Sequence, residues 1–348
     1  MMMIAALCST GYTTSAAPGT PLLHRVHPMR AALVARNRNA APVACDDGLS
    51  EFELIRQDGK ASAKFSIDGG HITSWVCNGE DHLFVSKEAN FIPDKLAIRG
   101  GVPLCWPAFN ERNLKAGKHG IVRTSERWTI SEAGFEPDEF MVLEHEMCYL
   151  EVDPSSSSIV GYHYAKPVGA EVDGAVIVPA SLSLRVEVRP SSLRMELQAA
   201  NNGNVPFSFS TVFHNYFSVN EMPVTFYGLQ GKGGKKDGEA FTDDAEEVVV
   251  DGGLETQRLY VGVKEAVSWE TTAANGATKR LTLTTSDNLP DIVLWNAGKE
   301  GAKALKDMES GGELRYLCVE PGICESAEAT VAAGETWSGW QEISVELV

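Results

Sequence analysis

The sequence predicts an all-β fold, a large antiparallel β-sandwich with very little helix. The clearest evidence is a run in which apolar residues alternate with polar ones, namely Leu182, Leu184, Val186 and Val188. A period of two is typical of a strand with one buried face. After a turn at residues 190–192 the alternation resumes at Leu193, Met195 and Leu197, which predicts a hairpin.

Similar short runs recur along the chain, separated by Gly, Asn, Asp and Pro, as in a sandwich of many strands. We predict them at residues 52–56, 63–67, 71–77, 140–150, 206–212, 248–250, 280–284, 292–295, 314–319 and 341–348. The one predicted helix spans residues 299–308, and residues 231–238, rich in Gly and Lys, are expected to form a loop. No glycine-rich nucleotide-binding motif follows a strand.

Residues 1–45 differ from the rest of the chain in charge. They contain four arginines and no acidic residue, although the whole chain has 30 basic and 47 acidic residues and a net charge of −17. Their abundant Ala, Ser, Thr and Arg predict a disordered organelle transit peptide, with a plastid favoured over a mitochondrion. A secretory signal and a disordered cytoplasmic extension remain open. Residues 48–348 are predicted to form a single domain.

Composition also limits the partners. Without its first 45 residues the chain carries about −21, which repels nucleic acid and anionic membranes, so we predict neither as a partner. We expect a monomer. The seven cysteines contain no Cys-x-x-Cys pair, and the histidines lack metal-ligand spacing, so we predict neither a metal site nor a disulfide framework.

Two cationic loops stand out on so acidic a chain. In the string Arg-Gly-Gly-Val-Pro-Leu-Cys-Trp-Pro at 99–107, glycines allow close backbone approach and prolines stiffen the exit, so Arg99 is held on a shaped loop. Lys118, His119 and Arg123 cluster around a glycine shortly afterwards. A guanidinium on such a loop binds a carboxylate or phosphate, although both arginines could equally be surface ion-pair partners.

Three further residues could carry chemistry. His214 lies in an aromatic strand, where it is either a core histidine or a general acid or base. Glu320 closes an apolar strand before a Pro-Gly turn, either as a solvated strand end or as a base made stronger by burial. Trp295 is either a sugar platform or a core residue.

Five strings in this order carry a resemblance. Besides residues 99–107, they are His-Gly-Ile-Val-Arg-Thr at 119–124, Phe-His-Asn-Tyr-Phe at 213–217, Asp-Ile-Val-Leu-Trp-Asn at 291–296 and Cys-Val-Glu-Pro-Gly at 318–322. The chain from about residue 50 to 348 resembles the glucose-6-phosphate 1-epimerases, the hexose-phosphate mutarotase branch of the aldose 1-epimerase family.

That resemblance implies a galactose mutarotase-like supersandwich and an isomerase that interconverts the α and β anomers of an aldohexose 6-phosphate, without cofactor or metal. Carried over by string, His214 looks like the catalytic acid and Glu320 like the base. The substrate contacts implied are Arg99, Lys118, His119, Arg123 and Gln257. We expect Glu320 to be ionised and His214 protonated when the reaction begins.

The chain departs from the family at Gln257, which stands where the family usually has Asp, and so brings no negative charge. This departure keeps open a non-catalytic sugar-phosphate-binding protein on the same fold. A mutarotase for unphosphorylated aldoses is a second alternative, which the paired arginines disfavour. Residues 151–179 are longer and more irregular than the resemblance requires.

Overall fold

The structure is a computed structural model that describes residues 51–110, 118–167, 174–236, 238–244 and 247–348, and the backbone of residues 40–43. The first nine strands are β1 (Ala40–Val43), β2 (Glu51–Ile55), β3 (Ala61–Ser66), β4 (His71–Cys77), β5 (Glu80–Asp81), β6 (Leu104–Cys105), β7 (Trp128–Phe135), β8 (Glu139–Val152) and β9 (Ile159–His163). The next nine are β10 (Val176–Val188), β11 (Ser192–Asn201), β12 (Phe207–Phe209), β13 (Thr211–Phe213), β14 (Tyr216–Ser218), β15 (Val224–Tyr227), β16 (Gly233–Lys236), β17 (Glu239–Thr242) and β18 (Val248–Val250). The last seven are β19 (Thr256–Tyr260), β20 (Val267–Thr272), β21 (Thr278–Thr285), β22 (Asp291–Asn296), β23 (Tyr316–Ile323), β24 (Ala329–Val331) and β25 (Thr336–Leu347).

Two large antiparallel sheets confirm the predicted all-β class. The ten-stranded sheet runs β18-β15-β20-β21-β25-β11-β10-β8-β7, with β9 also paired to β8. The eight-stranded sheet runs β17-β16-β19-β22-β23-β13-β6, with β14 also paired to β23. A five-stranded sheet of β1 to β5 and the pair β12-β24 complete the described strands.

The predicted hairpin lies at the centre of the ten-stranded sheet. Strands β10 and β11 pair with Leu184 opposite Leu197 and Val186 opposite Met195, and each of these side chains is at most 1% exposed. Full burial of such a side chain contributes about 1.5–3 kcal/mol. They belong to one apolar core that also takes side chains from the eight-stranded sheet, so the two sheets share a core.

Strands β22 and β23 contribute to the apolar core with one face and to a cavity with the other. Leu294 and Val319 belong to the shared core, whereas Val293 and Trp295 line a cavity on the opposite face of the sheet. Glu320 lines the same cavity, because successive side chains of a strand point to opposite faces. All eight residues of β23 are buried.

Two predicted elements differ from the observed ones. The helix expected at 299–308 is α1 (Gly298–Ala304), because Leu305 has an extended backbone (φ −85°, ψ 108°) that ends it. The expected loop at 231–238 contains β16, which pairs with β17 and β19. No helix among the described residues is both long and apolar enough to cross a membrane.

The strand expected at 314–319 is wrong at both ends. Strand β23 begins at Tyr316 and continues past Glu320 to Ile323, because β22 pairs with it along one side and β13 along the other. Glu320 is therefore inside a strand rather than at its end.

The predicted transit peptide, residues 1–45, lies mostly outside the described residues. Within it, Ala40–Val43 form β1, which pairs with β2 from Ala40 opposite Leu54 to Val43 opposite Glu51. The assignment of residues 1–45 as a transit peptide stays a prediction.

The loop that carries Arg99 is wedged between two chain segments. Gly100 and Gly101 have φ values of 124° and 61°, in the region that favours glycine. A Cβ on Gly101 would lie 2.2 Å from the carbonyl oxygen of Ile72. Nε2 of the buried His71 lies 2.7 Å from the carbonyl oxygen of Gly100, and this hydrogen bond helps to hold the loop in place. The predicted close approach of backbone is confirmed.

We expect Gly101→Ala to lower the free energy of unfolding by at least about 3 kcal/mol, because it combines an unfavourable φ with a backbone clash. The matched control is Gly276→Ala, with a φ of 82° and no atom within 4 Å of the new Cβ, which should cost only about 1–2 kcal/mol. Urea denaturation measures both values. Equal losses would show that the loop can move away.

Candidate active site

One cavity of about 390 Å³ brings together all seven residues predicted to have a role in the site. These residues are Arg99, Lys118, His119, Arg123, His214, Gln257 and Glu320. Its volume is in the range of small-molecule sites. The loops before β7, the gap between β13 and β14, and strands β19, β22 and β23 each contribute part of the wall.

The sheet register places His214 against Glu320. Strands β13 and β14 pair with β23 on either side of a short gap, and Val212 lies opposite Gly322. Two residues further into the gap, His214 therefore lies opposite Glu320, on the same face of the sheet. Nδ1 of His214 is 3.3 Å from Oε1 of Glu320.

Both groups are buried, His214 with 8% and Glu320 with 1% of its surface exposed. Nδ1 of His214 and Oε2 of Glu320 have no hydrogen-bond partner among the described residues, so the 3.3 Å contact lacks hydrogen-bond geometry. Burial raises the pKa of the Glu320 carboxyl well above its ordinary value, although Lys118 opposes this. Burial also lowers the pKa of His214 well below its ordinary value, with help from the charges of Arg123 and Arg99.

These pKa directions bear on the expected starting state, an ionised Glu320 beside a protonated His214. Burial opposes the charged form of each group, so the charged pair needs further stabilisation. A neutral acid beside a neutral imidazole holds as many protons as the ion pair does. In either arrangement the pair contains the one proton that acid–base chemistry needs.

Aromatic neighbours fix the plane of the His214 ring. It stacks on Tyr216 with 4.9 Å between ring centroids and 6° between planes. His119 meets it edge-on at 5.6 Å and Trp295 at 5.9 Å. Such packing lets a proton move onto or off the ring without moving the ring.

Arg99 enters the cavity with its charge already partnered. Its Nε and Nη2 both lie 3.2 Å from Oδ2 of Asp307, and its Nη1 donates to the Tyr216 hydroxyl at 3.1 Å. Arg99 therefore combines both predicted roles, since it forms an ion pair with Asp307 and also lines the cavity.

Arg123 has no such counter-ion in the part of the chain that the structure describes. Its Nη2 donates to the carbonyl oxygen of Lys118 at 3.0 Å, its buried Nε has no hydrogen-bond partner, and no carboxylate among the described residues lies within 4.0 Å of it. The ion-pair alternative is not observed for Arg123 in the described part of the chain. Among the described residues no carboxylate neutralises Arg123, so it is the more available of the two arginines for an anionic ligand.

His119 is a neutral member of the same loop. Its Nδ1 accepts the Asn110 backbone N–H at 3.3 Å, which leaves the proton on Nε2. Burial lowers the pKa of His119 to about 3, with help from the charges of Arg123 and Lys118. It can donate one hydrogen bond near neutral pH and adds no charge.

The wall opposite the cations contains an unexpected carboxylate. Gln257, on β19, lies opposite Trp295 of β22. The indole Nε1 of Trp295 donates to Oε1 of Glu255 at 3.3 Å, and Glu255 also lines the cavity. A carboxylate thus lines the cavity two residues before Gln257, at a position separate from the one where the family usually has Asp.

One group of described residues has the donor set of a metal site. Ligand atoms of His214, Cys318 and Glu320 lie within 4.8 Å of one another. Burial raises the pKa of the Cys318 thiol well above its ordinary value, which opposes the thiolate form that binds metal. Arg123 and Lys118 add positive charge to the same cavity, so the surroundings do not fit a divalent cation.

Sequence reasoning missed three residues of the site: Glu255, Tyr216 and Asp307. Tyr216 follows His214 by two residues, and Glu255 precedes Gln257 by two residues, just before β19, so a period of two could have indicated both. Asp307 has no such signal, because its contact with Arg99 joins residues 208 positions apart.

Comparison with known proteins gives the family and supports the fold. A candidate glucose-6-phosphate 1-epimerase of Cenchrus ciliaris is 30% identical over 299 residues, which cover 83% of each chain. One from Escherichia coli is 26% identical over 83% of this chain and 89% of its own. The crystal structure of a candidate mutarotase from Salmonella typhimurium superposes with a TM-score of 0.69 at 19% identity, covering 94% of this chain and 97% of the other.

A galactose mutarotase-like protein from Clostridium acetobutylicum has the same fold, with a TM-score of 0.64 at 16% identity over 89% of this chain and 98% of its own. The family description "Aldose 1-epimerase" matches residues 53–147 and 174–344. The interruption falls in the segment that is longer than the resemblance requires, where β9 pairs with β8. The chain belongs to the aldose 1-epimerase family.

Proposed function

We propose that the protein interconverts the α and β anomers of an aldohexose 6-phosphate, with glucose 6-phosphate as the first candidate. One observation carries the proposal: a buried acid–base pair opens into the same cavity as Arg99, Lys118 and Arg123, on a chain of net charge −17. A local excess of cations on an acidic protein favours a small anion. The curated relatives bear the matching candidate name.

The chemistry requires two proton transfers. A base removes the proton of the C1 hydroxyl while an acid protonates the ring oxygen, and the C1–O5 bond breaks to give an aldehyde. Rotation about C1–C2 presents the other carbonyl face, and the reverse transfers close the ring as the second anomer. We assign the base to Glu320 and the acid to His214, with Trp295 as the wall against which the sugar ring lies.

The negative charge of the bound phosphate favours the protonation state that the acid–base pair needs. Burial, the neighbouring His119 and the charges of Arg123 and Arg99 all lower the pKa of His214. A phosphate dianion bound at those arginines offsets part of their charge, which favours a protonated His214. An imidazolium there in turn stabilises the carboxylate of Glu320, so the charged pair that ring opening requires is favoured with the phosphate bound.

Free aldoses make a poorer substrate under this proposal, because they lack the charge that shifts the proton. A non-catalytic sugar-phosphate-binding protein is the remaining alternative. The unpartnered atoms of His214 and Glu320 favour catalysis over binding alone, since neither is needed to hold a phosphate. For residues 1–45 we propose a plastid transit peptide, on composition alone.

Glu320→Gln and His214→Gln should each lower kcat for anomer exchange by about 10²–10⁴-fold, because each removes one positioned proton-transfer group. Exchange NMR with glucose 6-phosphate measures the rate. The control is His163→Gln, which breaks another His–Glu contact, 2.6 Å to Glu151, outside the cavity. It should keep the full rate. Unchanged exchange in the Glu320 variant would refute the base assignment.

Arg123→Ala should raise KM for glucose 6-phosphate about 10–100-fold, the effect of a lost charge-assisted hydrogen bond, and should raise KM for free glucose far less. Arg99→Gln should act in the same direction. Arg189→Ala removes an arginine that pairs with Glu342, outside the cavity, and serves as the control. An equal rise for both sugars would contradict the phosphate contact.

Glu320→Gln should also stabilise the fold at neutral pH. Because the pKa of Glu320 is raised on folding, the folded state keeps a proton that the unfolded chain releases above about pH 4.3, so Glu320 lowers stability as pH rises. The variant removes a destabilisation of about 1 kcal/mol, so its Tm should rise by about 2–4 °C at pH 7. The rise should become smaller as the pH falls towards about 4. Exposed Glu335→Gln controls for the lost charge. A lower Tm at every pH would contradict the shift.

A further inference from the structure

Two amide side chains face each other inside the otherwise apolar core. Asn215 Nδ2 donates to Gln341 Oε1 at 2.8 Å, and Gln341 Nε2 donates to Asn215 Oδ1 at 2.8 Å. Neither residue has any exposed surface. A buried amide without a partner costs about 1–3 kcal/mol, so each stabilises the other in place.

The remaining amide protons are also used. Asn215 Nδ2 donates to the carbonyl oxygen of Val319 at 2.8 Å, and Gln341 Nε2 reaches Sδ of Met195 at 3.6 Å. Since the Val319 carbonyl can only accept, it fixes which end of the Asn215 amide is nitrogen, and this in turn orients Gln341. The pair therefore has one arrangement.

The bond to Val319 fills a break in the sheet. In the gap between β13 and β14, the backbone N–H of Asn215 turns back to the carbonyl oxygen of Phe213 at 2.9 Å. By the register of β23, Asn215 lies opposite Val319, just as His214 lies opposite Glu320. The Asn215 side chain thus makes the bond to Val319 that a backbone group makes elsewhere in the ladder.

Gln341 anchors this bond to the other layer of the sandwich. It lies in β25 of the ten-stranded sheet, on the inward row that also holds the buried Ile343 and Val345. An apolar residue would suit that row better by burial alone. The directional contact with Asn215 instead ties the strand gap that carries His214 to the ten-stranded sheet.

We propose that Asn215 and Gln341 are positioning residues that hold the backbone of Glu320 in register with His214 and so set the 3.3 Å contact of the acid–base pair. The proposal rests on the proposed function for its effect on rate. Its geometric part stands without it. Misplacing a reacting group by about 1 Å can lower a rate about 100-fold.

The test compares Asn215→Leu with the double variant Asn215→Leu/Gln341→Met. The single variant leaves a buried amide unpaired and should lose stability and rate together. The double variant replaces both amides by apolar groups of similar shape, so it should recover the part of the stability that the single variant loses to the unpaired Gln341 amide. We expect its kcat to stay about 10–100-fold below that of the unaltered protein, with KM for glucose 6-phosphate unchanged.

Imidazole ¹⁵N resonances give a readout independent of turnover. In the double variant the His214 resonances should shift as the Glu320 contact changes, while those of His163, outside the cavity, stay in place. This shift distinguishes failure of the positioning role from failure of the proposed activity. A stable double variant with full kcat and unshifted His214 resonances would overturn the proposal.

A second comparison applies where the double variant does not fold. Gln341→Met keeps Asn215 and its bond to Val319, whereas Asn215→Leu removes that bond. Asn215→Leu should therefore lose more kcat and shift the His214 resonances further. Equal effects of the two single variants would show that the pair acts only on stability.

Discussion

The site depends on keeping a carboxyl and an imidazole in contact with almost no exposed surface on either. His214 and Glu320 lie 3.3 Å apart with almost no exposed surface, and burial opposes charge on both. Only a rigid frame holds two such groups together without the attraction of an ion pair. The eight-stranded sheet provides it, because β23 is paired on both sides and buried on both faces.

Much of this frame is predictable because strand periodicity is local. The alternation at Leu184 and Val186 gives the buried face of β10 directly, and the observed pairing with β11 follows from the short turn. The seven predicted site residues meet in one cavity because the strings that carry them form neighbouring strands and loops. That grouping came from the resemblance to a family, since spacing along the chain gave no hint that His214 faces Glu320.

What could not be predicted depends on contacts between distant segments. The strand that carries Glu320 continues through Pro321, although Pro-Gly usually marks a turn, because β22 and β13 pair with it. The predicted helix stops at Ala304, and beyond it Asp307 contacts Arg99 across 208 positions. The protonation state of the pair could not be predicted either, because the two pKa values depend on burial, which only the assembled fold determines.

The two arginines of the cavity have different electrostatic roles. Arg99 is paired with Asp307, so a carboxylate of the protein already offsets part of its charge. Arg123 has no carboxylate partner among the described residues, and its charge, like that of Arg99, opposes protonation of His214. Under the proposed function Arg123 is therefore the arginine whose charge depends more on the bound phosphate. Under the proposed function, this links recognition of the phosphate to the proton position that ring opening needs, without any movement of the buried rings.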